Sequence, residues 1–334
     1  MSTARTHITE LPIGPDKPWL APLAGFSDLP FRLLCRENGC AAACTEMISA
    51  KGLVYQNPGT TELLRTCNQD QPLVVQLFGS EAEVIADSLS WLVEQGYTYF
   101  DLNAGCPVRK VVKTGAGAGL LRDWDNLLRI LTAMVHGAGQ GRVGVKLRAG
   151  WGAKQDILTR IRDLDTLNLG WVSVHPRTVT QGYAGRADWE VLAAACRELN
   201  TPVLASGDLL SAEDGVQCVQ KTGVKGLMFA RGALADPGIF ATYLQILRGE
   251  ERGTYDPHEG RQRALNMARR HMALIRTYGK GDRDLFRMRT IIPRYLRGFE
   301  GVKSIRKRVV ACTTWSELMN CVDEVELGAV HKEQ

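Results

Sequence analysis

Residues Tyr99–Leu121 read YFDLNAGCPVRKVVKTGAGAGLL. A short aromatic and apolar run ends at Asn103. Ala104 and Gly105 then lead into Cys106, with Pro107 next, followed by bases and alternating glycines. Two folds compete for such a stretch. A doubly wound sheet wants its phosphate-binding G-x-G-x-x-G turn after the first strand. Here GAGAG (Gly115–Gly119) follows the fourth apolar run and has the wrong spacing. The alternative is a closed parallel barrel, which needs eight such runs.

Working outward, eight are present: WLAPLA, AAACTEM, PLVVQLFG, YTYFDLN, RVGVKLRAG, WVSVH, TPVLAS and KGLMFA. Several carry almost no polar residue until their ends, as strands covered on both faces do. Helical patterns separate them, among them LPFRLLCREN, EAEVIADSLSWLVEQG, DWDNLLRILTAMVHGAG and ILTRIRDLDTLNLG, and Gly96, Gly170, Gly223 and Gly249 stand at segment ends. The pattern predicts a (β/α)8 TIM barrel over residues 1–250, then, past a polar linker at 249–260, a small all-α domain over 260–326.

The chain has 334 residues, 45% of them hydrophobic and 23% charged, enough for a substantial core. No apolar run reaches the ~18 residues of a membrane span, and the first residues lack a secretory apolar segment. Nine irregularly spaced cysteines suit reduced thiols, so a cytoplasmic protein is expected. Cys35, Cys40, Cys44 and Cys67 lack paired C-x₂-C arms, and His258 and His271 have no partner at ligand spacing, so no metal is expected. Charge is unevenly distributed. Arg261–Arg308 holds fifteen Lys or Arg against three acids, or +12; the whole chain is +5, leaving −7 elsewhere. That one-signed excess exceeds what salt-bridged decoration would need, and it points to a polyanionic partner such as nucleic acid.

Barrels place chemistry where strands end at their C-terminal side. The polar residues fall there: APLAGFSD after the first strand, Gln76 at the third, Asn103 and Cys106 at the fourth, and Lys146 and Arg148 on one face of the fifth. HPRT closes the sixth, SGD the seventh and ARGA the eighth, where barrels often bind phosphate.

Together APLAGFSDLPFR, LNAGCPVRKV, VKLRAGW, HPRT, SGD and ARGAL closely resemble the tRNA-dihydrouridine synthase family, most of all its bacterial B-type members. RMRTIIPRYLRGFEGVKSIR resembles that family's helical tRNA-binding segment. The resemblance implies an FMN enzyme that reduces a D-loop uridine of tRNA to 5,6-dihydrouridine with NADPH, needing no obligatory protein partner. It implies FMN contacts from the backbone of Pro22, Leu23 and Ala24, and from Gln76, Lys146 and His175. It gives the phosphate to Ser206, Gly207, Asp208, Ala230 and Arg231. Asn103, Arg148, Arg177, Arg294, Arg297 and Arg306 would bind substrate. The family usually has Met at position 23, Asn at 206 and Gly at 230, where this chain has Leu23, Ser206 and Ala230.

The chemistry also supports a role for Cys106. Saturating an electron-poor C5=C6 bond takes a hydride at C6 and a proton at C5. A thiol, with an ordinary pKa of about 8.5, holds its proton at neutral pH and can act as that acid. Two alternatives stay open: a flavin barrel acting on a free pyrimidine, which leaves the basic appendage unexplained, and a non-catalytic tRNA-binding protein.

Overall fold

The computed structural model describes residues 10–152, 156–250, 256–297 and 302–326. Nine strands appear among them: β1 (Trp19–Leu20), β2 (Ala42–Cys44), β3 (Ile48–Ser49), β4 (Leu73–Phe78), β5 (Tyr99–Ala104), β6 (Val143–Gly150), β7 (Trp171–Thr178), β8 (Val203–Ser206) and β9 (Gly226–Phe229). All pairings are parallel. Trp19 of β1 registers with Ala42 of β2 and with Met228 of β9, so the sheet closes on itself. β2 and β3 both pair with β4, at Ala43↔Leu73 and Ile48↔Leu77, and so form one broken stave. The barrel therefore has the eight staves expected.

Side chains alternate along a strand, and that alternation sorts the interior from the helix-facing shell. Phe100 and Leu102 join the large core between strands and helices. Trp19, Ala42, Cys44, Val74, Tyr99, Trp171, Leu204 and Met228 form a separate apolar cluster that fills the lower barrel. Trp19 and Trp171 meet edge-on there, with ring centroids 5.4 Å apart. Gly144 makes room for this packing: a Cβ at that position would lie 2.0 Å from the Trp171 indole. Above the cluster the interior turns polar, with Gln76, Asp101, Asn103, Ser173, His175 and Ser206 all buried.

Local signals set most helix boundaries. Asp28 caps the helix Leu29–Glu37 by accepting from the Phe31 N–H, and Pro30 sits in its first turn. Ser211 and Asp214 form a capping box at the start of the helix Ala212–Thr222, which Gly223 ends in a left-handed conformation. One expectation fails. ILTRIRDLDTLNLG forms two 3₁₀ segments, Asp156–Thr159 and Ile161–Leu167, in place of an α-helix. Its acids bind neighbouring parts of the chain: Asp163 accepts from the Trp124 indole, and Asp165 from the Asn200 and Thr201 N–H groups. Asn168 then turns left-handed and ends the segment.

The C-terminal helices are Pro257–Tyr278, Asp282–Tyr295, Val302–Ala311 and Trp315–Glu326. The first opens ahead of the expected residue 260, because Asp256 caps it and Pro257 takes a first-turn position. Residues 251–255 of the expected linker, and 298–301 of the basic segment, lie outside the described residues. These helices share a core that includes Leu265, Met272, Met288, Ile292, Val309 and Leu318, and they pack it onto Leu29, Leu33 and Leu34 of the barrel.

The basic stretch is less one-sided than its sequence suggests. Arg270 pairs with Glu37 (2.5 Å) and Arg287 with Asp28 (2.5 Å), which ties the helices to the barrel. Arg269 pairs with Asp323 (2.7 Å), and Arg308 with Glu324. Part of the +12 therefore works as internal and docking ion pairs, because the acids that answer it lie outside residues 261–308. Among the described residues no helix is long and apolar enough to cross a membrane.

Candidate active site

The turn that carries Cys106 is held from below and from the side. The Asn103 Oδ1 accepts from the Gly105 N–H (3.2 Å) and from the Cys106 N–H (2.9 Å). Asn103 Nδ2 donates to Gln76 Oε1 (2.8 Å), and Gln76 Nε2 donates to Asp101 Oδ2 (2.7 Å). The Trp171 indole donates to the other oxygen of Asp101 (3.0 Å). On the side, the Ala118 N–H donates to the Cys106 carbonyl (3.0 Å), so the GAGAG segment folds back as a support for the thiol turn. Cys106 itself is part-exposed, whereas Cys35, Cys40 and Cys44 are buried core thiols. Among the described residues no group of three His, Cys, Asp or Glu could hold a metal.

Lys146 and Arg148 project on the same side of β6, as their spacing predicts, but they do different things. Burial lowers the Lys146 pKa to about 8, opposed by the negative charge of Asp101. Burial raises Asp101 to about 6, opposed by hydrogen bonds from Gln76 and Trp171 and by Lys146. Arg148 is 2% exposed, and its guanidinium donates to the carbonyls of Gly105, Thr178 and Gly182. It joins the cysteine turn to the loop after β7.

His175 and Arg177 follow on β7. Burial and then the charges of Lys146, Arg148, Arg177 and Arg231 lower His175 to about 2, so its ring is neutral. Arg177 makes a bidentate pair with Asp208 (2.7 Å to each oxygen) and also donates to the Gly185 carbonyl. Burial works to raise Asp208, but the Arg177 bond, the Ala187 N–H and the charges of Arg177 and Arg231 outweigh it and hold the carboxyl below its ordinary value. Arg231, two residues past the end of β9, adds a 2.9 Å bond to the same carboxylate. Gly207 must be glycine: its φ is +105°, and a Cβ would lie 2.4 Å from the His175 ring. Ser206 is buried at the end of β8, and Ala230 stands immediately before Arg231.

The loop after β1 keeps part of its backbone for itself. The Leu23 N–H donates to Ser27 Oγ (2.9 Å), and its carbonyl accepts from Phe26 and Ser27. Pro22 is part-buried and Ala24 exposed beside it. Arg294 reaches this loop from the C-terminal helices, 5.4 Å from the Phe26 ring centroid. Arg294 and Arg297 line a cleft of about 870 Å³ between those helices and the barrel, apart from the Cys106 turn. Arg306 is exposed on the third helix.

Two residues of the site were not singled out from sequence. Asp101 is a lone acid in an apolar strand, which is a signal in itself. Tyr183 is 62% exposed at the mouth, with Arg148 and Arg231 within 5.5 Å and 5.1 Å of its ring; an aromatic flanked by glycines in QGYAG marked it.

The mouth carries more positive than negative charge, which suits a flavin. Lys146, Arg148, Arg177 and Arg231 all act on His175, and the acids beside them are Asp101 and Asp208. A phosphate and an electron-rich ring would answer the surplus. Ser173, in register with Lys146, has a buried hydroxyl with no hydrogen-bond partner and is a further polar group for such a ligand.

The sequence model of the family described as Dihydrouridine synthase (Dus) matches residues 19–330. "Probable tRNA-dihydrouridine synthase 1" of Synechocystis sp. is 31% identical over 307 residues, covering 91% of this chain and 84% of its own. "Probable tRNA-dihydrouridine synthase" of Treponema pallidum is 32% identical over 311 residues, 90% of each chain. "tRNA-dihydrouridine synthase B" of Xanthomonas campestris pv. campestris is 34% identical over 229 residues, 68% of this chain and 69% of its own. Among solved structures, morphinone reductase superposes with a TM-score of 0.51 at 11% identity, covering 72% of this chain and 88% of its own. Histamine dehydrogenase from Rhizobium sp. 4-9 gives 0.52 at 10% identity, over 77% and 49%. At such identities the likeness is one of fold.

Proposed function

The chain belongs to the dihydrouridine synthase family, and on that premise we propose that it reduces the C5=C6 bond of a D-loop uridine in tRNA to 5,6-dihydrouridine, with FMN in the barrel mouth and NADPH as reductant. The observation that carries this reading is the Cys106 turn, hydrogen-bonded into the barrel beside the half-buried cation Lys146. FMN, when bound, supplies the hydride for C6. Cys106 gives the proton to C5 from the other face of the base, and Asn103 offers its second amide hydrogen to the uracil edge. Lys146 holds positive charge where electron density accumulates. His175, kept neutral, lines the pocket as a hydrogen-bonding ring without adding a charge.

The cofactor's ring is assigned to Gln76, Lys146, His175 and the backbone of Pro22, Leu23 and Ala24. Its phosphate is assigned to Ser206, Gly207, Ala230 and Arg231. Asp208 holds the Arg231 guanidinium in place there. Arg148 and Arg177 serve substrate through the loop that follows β7, since both are bonded to its carbonyls. Arg294, Arg297 and Arg306 serve the tRNA backbone, with residues 256–326 as the tRNA-binding unit. A cytoplasmic setting suits the substrate and the unpaired thiols.

The test is direct. The protein is loaded with FMN and incubated with NADPH and an unmodified tRNA transcript, and the digested nucleosides are weighed. A uridine that gains two hydrogens is expected. A flavin that binds and is reduced by NADPH while every uridine keeps its mass would overturn the reading.

A further inference from the structure

Leu23 to Ser27, in the loop after β1, form one closed turn. The Leu23 carbonyl accepts from the Phe26 and Ser27 N–H groups, and the Leu23 N–H donates to the Ser27 hydroxyl. A turn tied this tightly shifts as a unit, and Asp28 is joined directly to it. Two attachments hold its backbone from the barrel side: Glu46 accepts from the Gly25 N–H, and Arg32 donates to the Ser27 carbonyl. Asp28 is held from outside. One of its oxygens caps the helix Leu29–Glu37 at the Phe31 N–H, and the other meets the Arg287 guanidinium at 2.5 Å. Arg287 belongs to the helix Asp282–Tyr295. About two turns on, and so on the same face of that helix, Arg294 stands 5.4 Å from the Phe26 ring centroid. One helix thus reaches both ends of Phe26–Asp28.

We propose, on the reading that Pro22, Leu23 and Ala24 meet FMN through their backbone, that Arg287 is a positioning residue for the cofactor: from the C-terminal helices it holds Asp28, and through Asp28 the loop assigned to the flavin ring. The Asp28 side chain is 11% exposed, and among the described residues Arg287 is the one cation at ion-pair distance from it. Burial pushes the carboxyl up, opposed first by the Arg287 charge. Taking that cation away strands a buried carboxylate, with Arg32 left to act on it at longer range. The least costly response is for Asp28 to turn toward solvent, which pulls on Ser27 and, across the closed turn, on Leu23. Arg270 supplies the contrast. It ties the same helices to the barrel through Glu37, but at the far end of the helix Leu29–Glu37, where no cofactor contact is assigned.

The full chain is stripped of flavin and titrated with FMN, without tRNA or NADPH, and quenching of flavin fluorescence is followed. Arg287→Met is expected to raise the FMN Kd about tenfold, a fraction of what breaking a buried pair can cost. Arg270→Gln should leave Kd within about twofold, as loss of an exposed pair does. Because Arg287 also meets Asp284 at 3.4 Å, a loss of general stability needs its own control. Leu318→Ala, in the core of the C-terminal helices, should lower the melting temperature and still keep Kd within about twofold. Asp28→Asn keeps a capping oxygen but removes the charge, and should raise Kd about three- to fivefold. With Arg287 already gone there is no pair left to break, so Asp28→Asn/Arg287→Met should bind FMN no more weakly than Arg287→Met. An Arg287→Met Kd within about twofold of the parent chain, an equal rise in Arg270→Gln or Leu318→Ala, or a double variant weaker than Arg287→Met would each overturn the proposal. If Arg287→Met does not fold, Asp28→Asn set against Arg270→Gln decides by the same comparison. A parent chain with no affinity for FMN would overturn the cofactor reading as well, whereas FMN bound equally by parent and variant overturns this proposal alone.

Discussion

The cations at the barrel mouth and those on the C-terminal helices are the same residue types in opposite circumstances. Arg148 and Arg177 are each 2% exposed, and their donors are taken up by carbonyls and a carboxylate. Arg297, Arg306 and Lys307 are exposed, and Arg270 keeps 52% of its side chain in solvent even while paired with Glu37. Buried charges fix geometry, because removing one leaves its partner stranded in a low-dielectric setting. Exposed charges act at longer range, are screened by salt, and contribute little to the fold. A count of Lys and Arg cannot tell these apart. A buried set that shapes a site and an exposed set that meets a polyanion make different predictions.

The largest effect is expected inside the mouth. Cys106→Ala should keep FMN binding and flavin reduction by NADPH while dihydrouridine formation falls about 10²–10⁴-fold, the usual contribution of a general acid. Single-turnover mass spectrometry of tRNA checks it, and parental turnover would take Cys106 out of the chemistry. On the helices, Arg297→Glu, Arg306→Glu and Lys307→Glu combined should weaken tRNA binding and flatten the plot of log K against log salt by about 2–3. Flavin content should not change. Equal slopes in a salt titration would mean that these helices do not grip the phosphates.

A pH titration separates the two sets further. Lys146 has its pKa depressed to about 8, so its charge is present below that pH and is lost as pH rises through it. The rate of flavin reduction by NADPH, a half-reaction that does not use Cys106, should fall about tenfold per unit above that point, and Lys146→Arg should move the fall to higher pH. Thermal melts supply the smaller effects. Arg177→Met strands Asp208 with Arg231 as its remaining cation and should cost about 2–3 kcal/mol. Arg270→Gln, at an exposed pair, should cost less than about 1 kcal/mol. If those two costs came out equal, the contrast between mouth and helices would be wrong.

Much of the barrel was legible because its signals are local. An apolar run such as YTYFDLN, polar only near its end, identifies a strand and the end at which chemistry sits. Lys146 and Arg148 declared a shared face through spacing alone. The 3₁₀ segments at 156–167 were not legible, since Asp163 and Asp165 answer groups on other helices and loops. The docking pairs were missed for a similar reason: Arg287 and Arg270 find their acids on the first barrel helix and its cap, more than two hundred residues away.

By itself the chain determined the order of eight parallel staves, an interior that turns polar toward their C-terminal ends, and a thiol held between a glycine and a proline. Alternation along a strand and turn chemistry depend only on neighbours in sequence. Tertiary structure alone decided which way Gln76 and Asn103 point, that His175 is neutral, and that Arg148 clamps a loop. Those depend on burial and on charges brought together from different strands. Asp101 shows the divide. Its place in YFDLN is plain from sequence, but its hydrogen-bond partners Gln76 and Trp171 lie 25 and 70 residues away and meet it only once the barrel has closed.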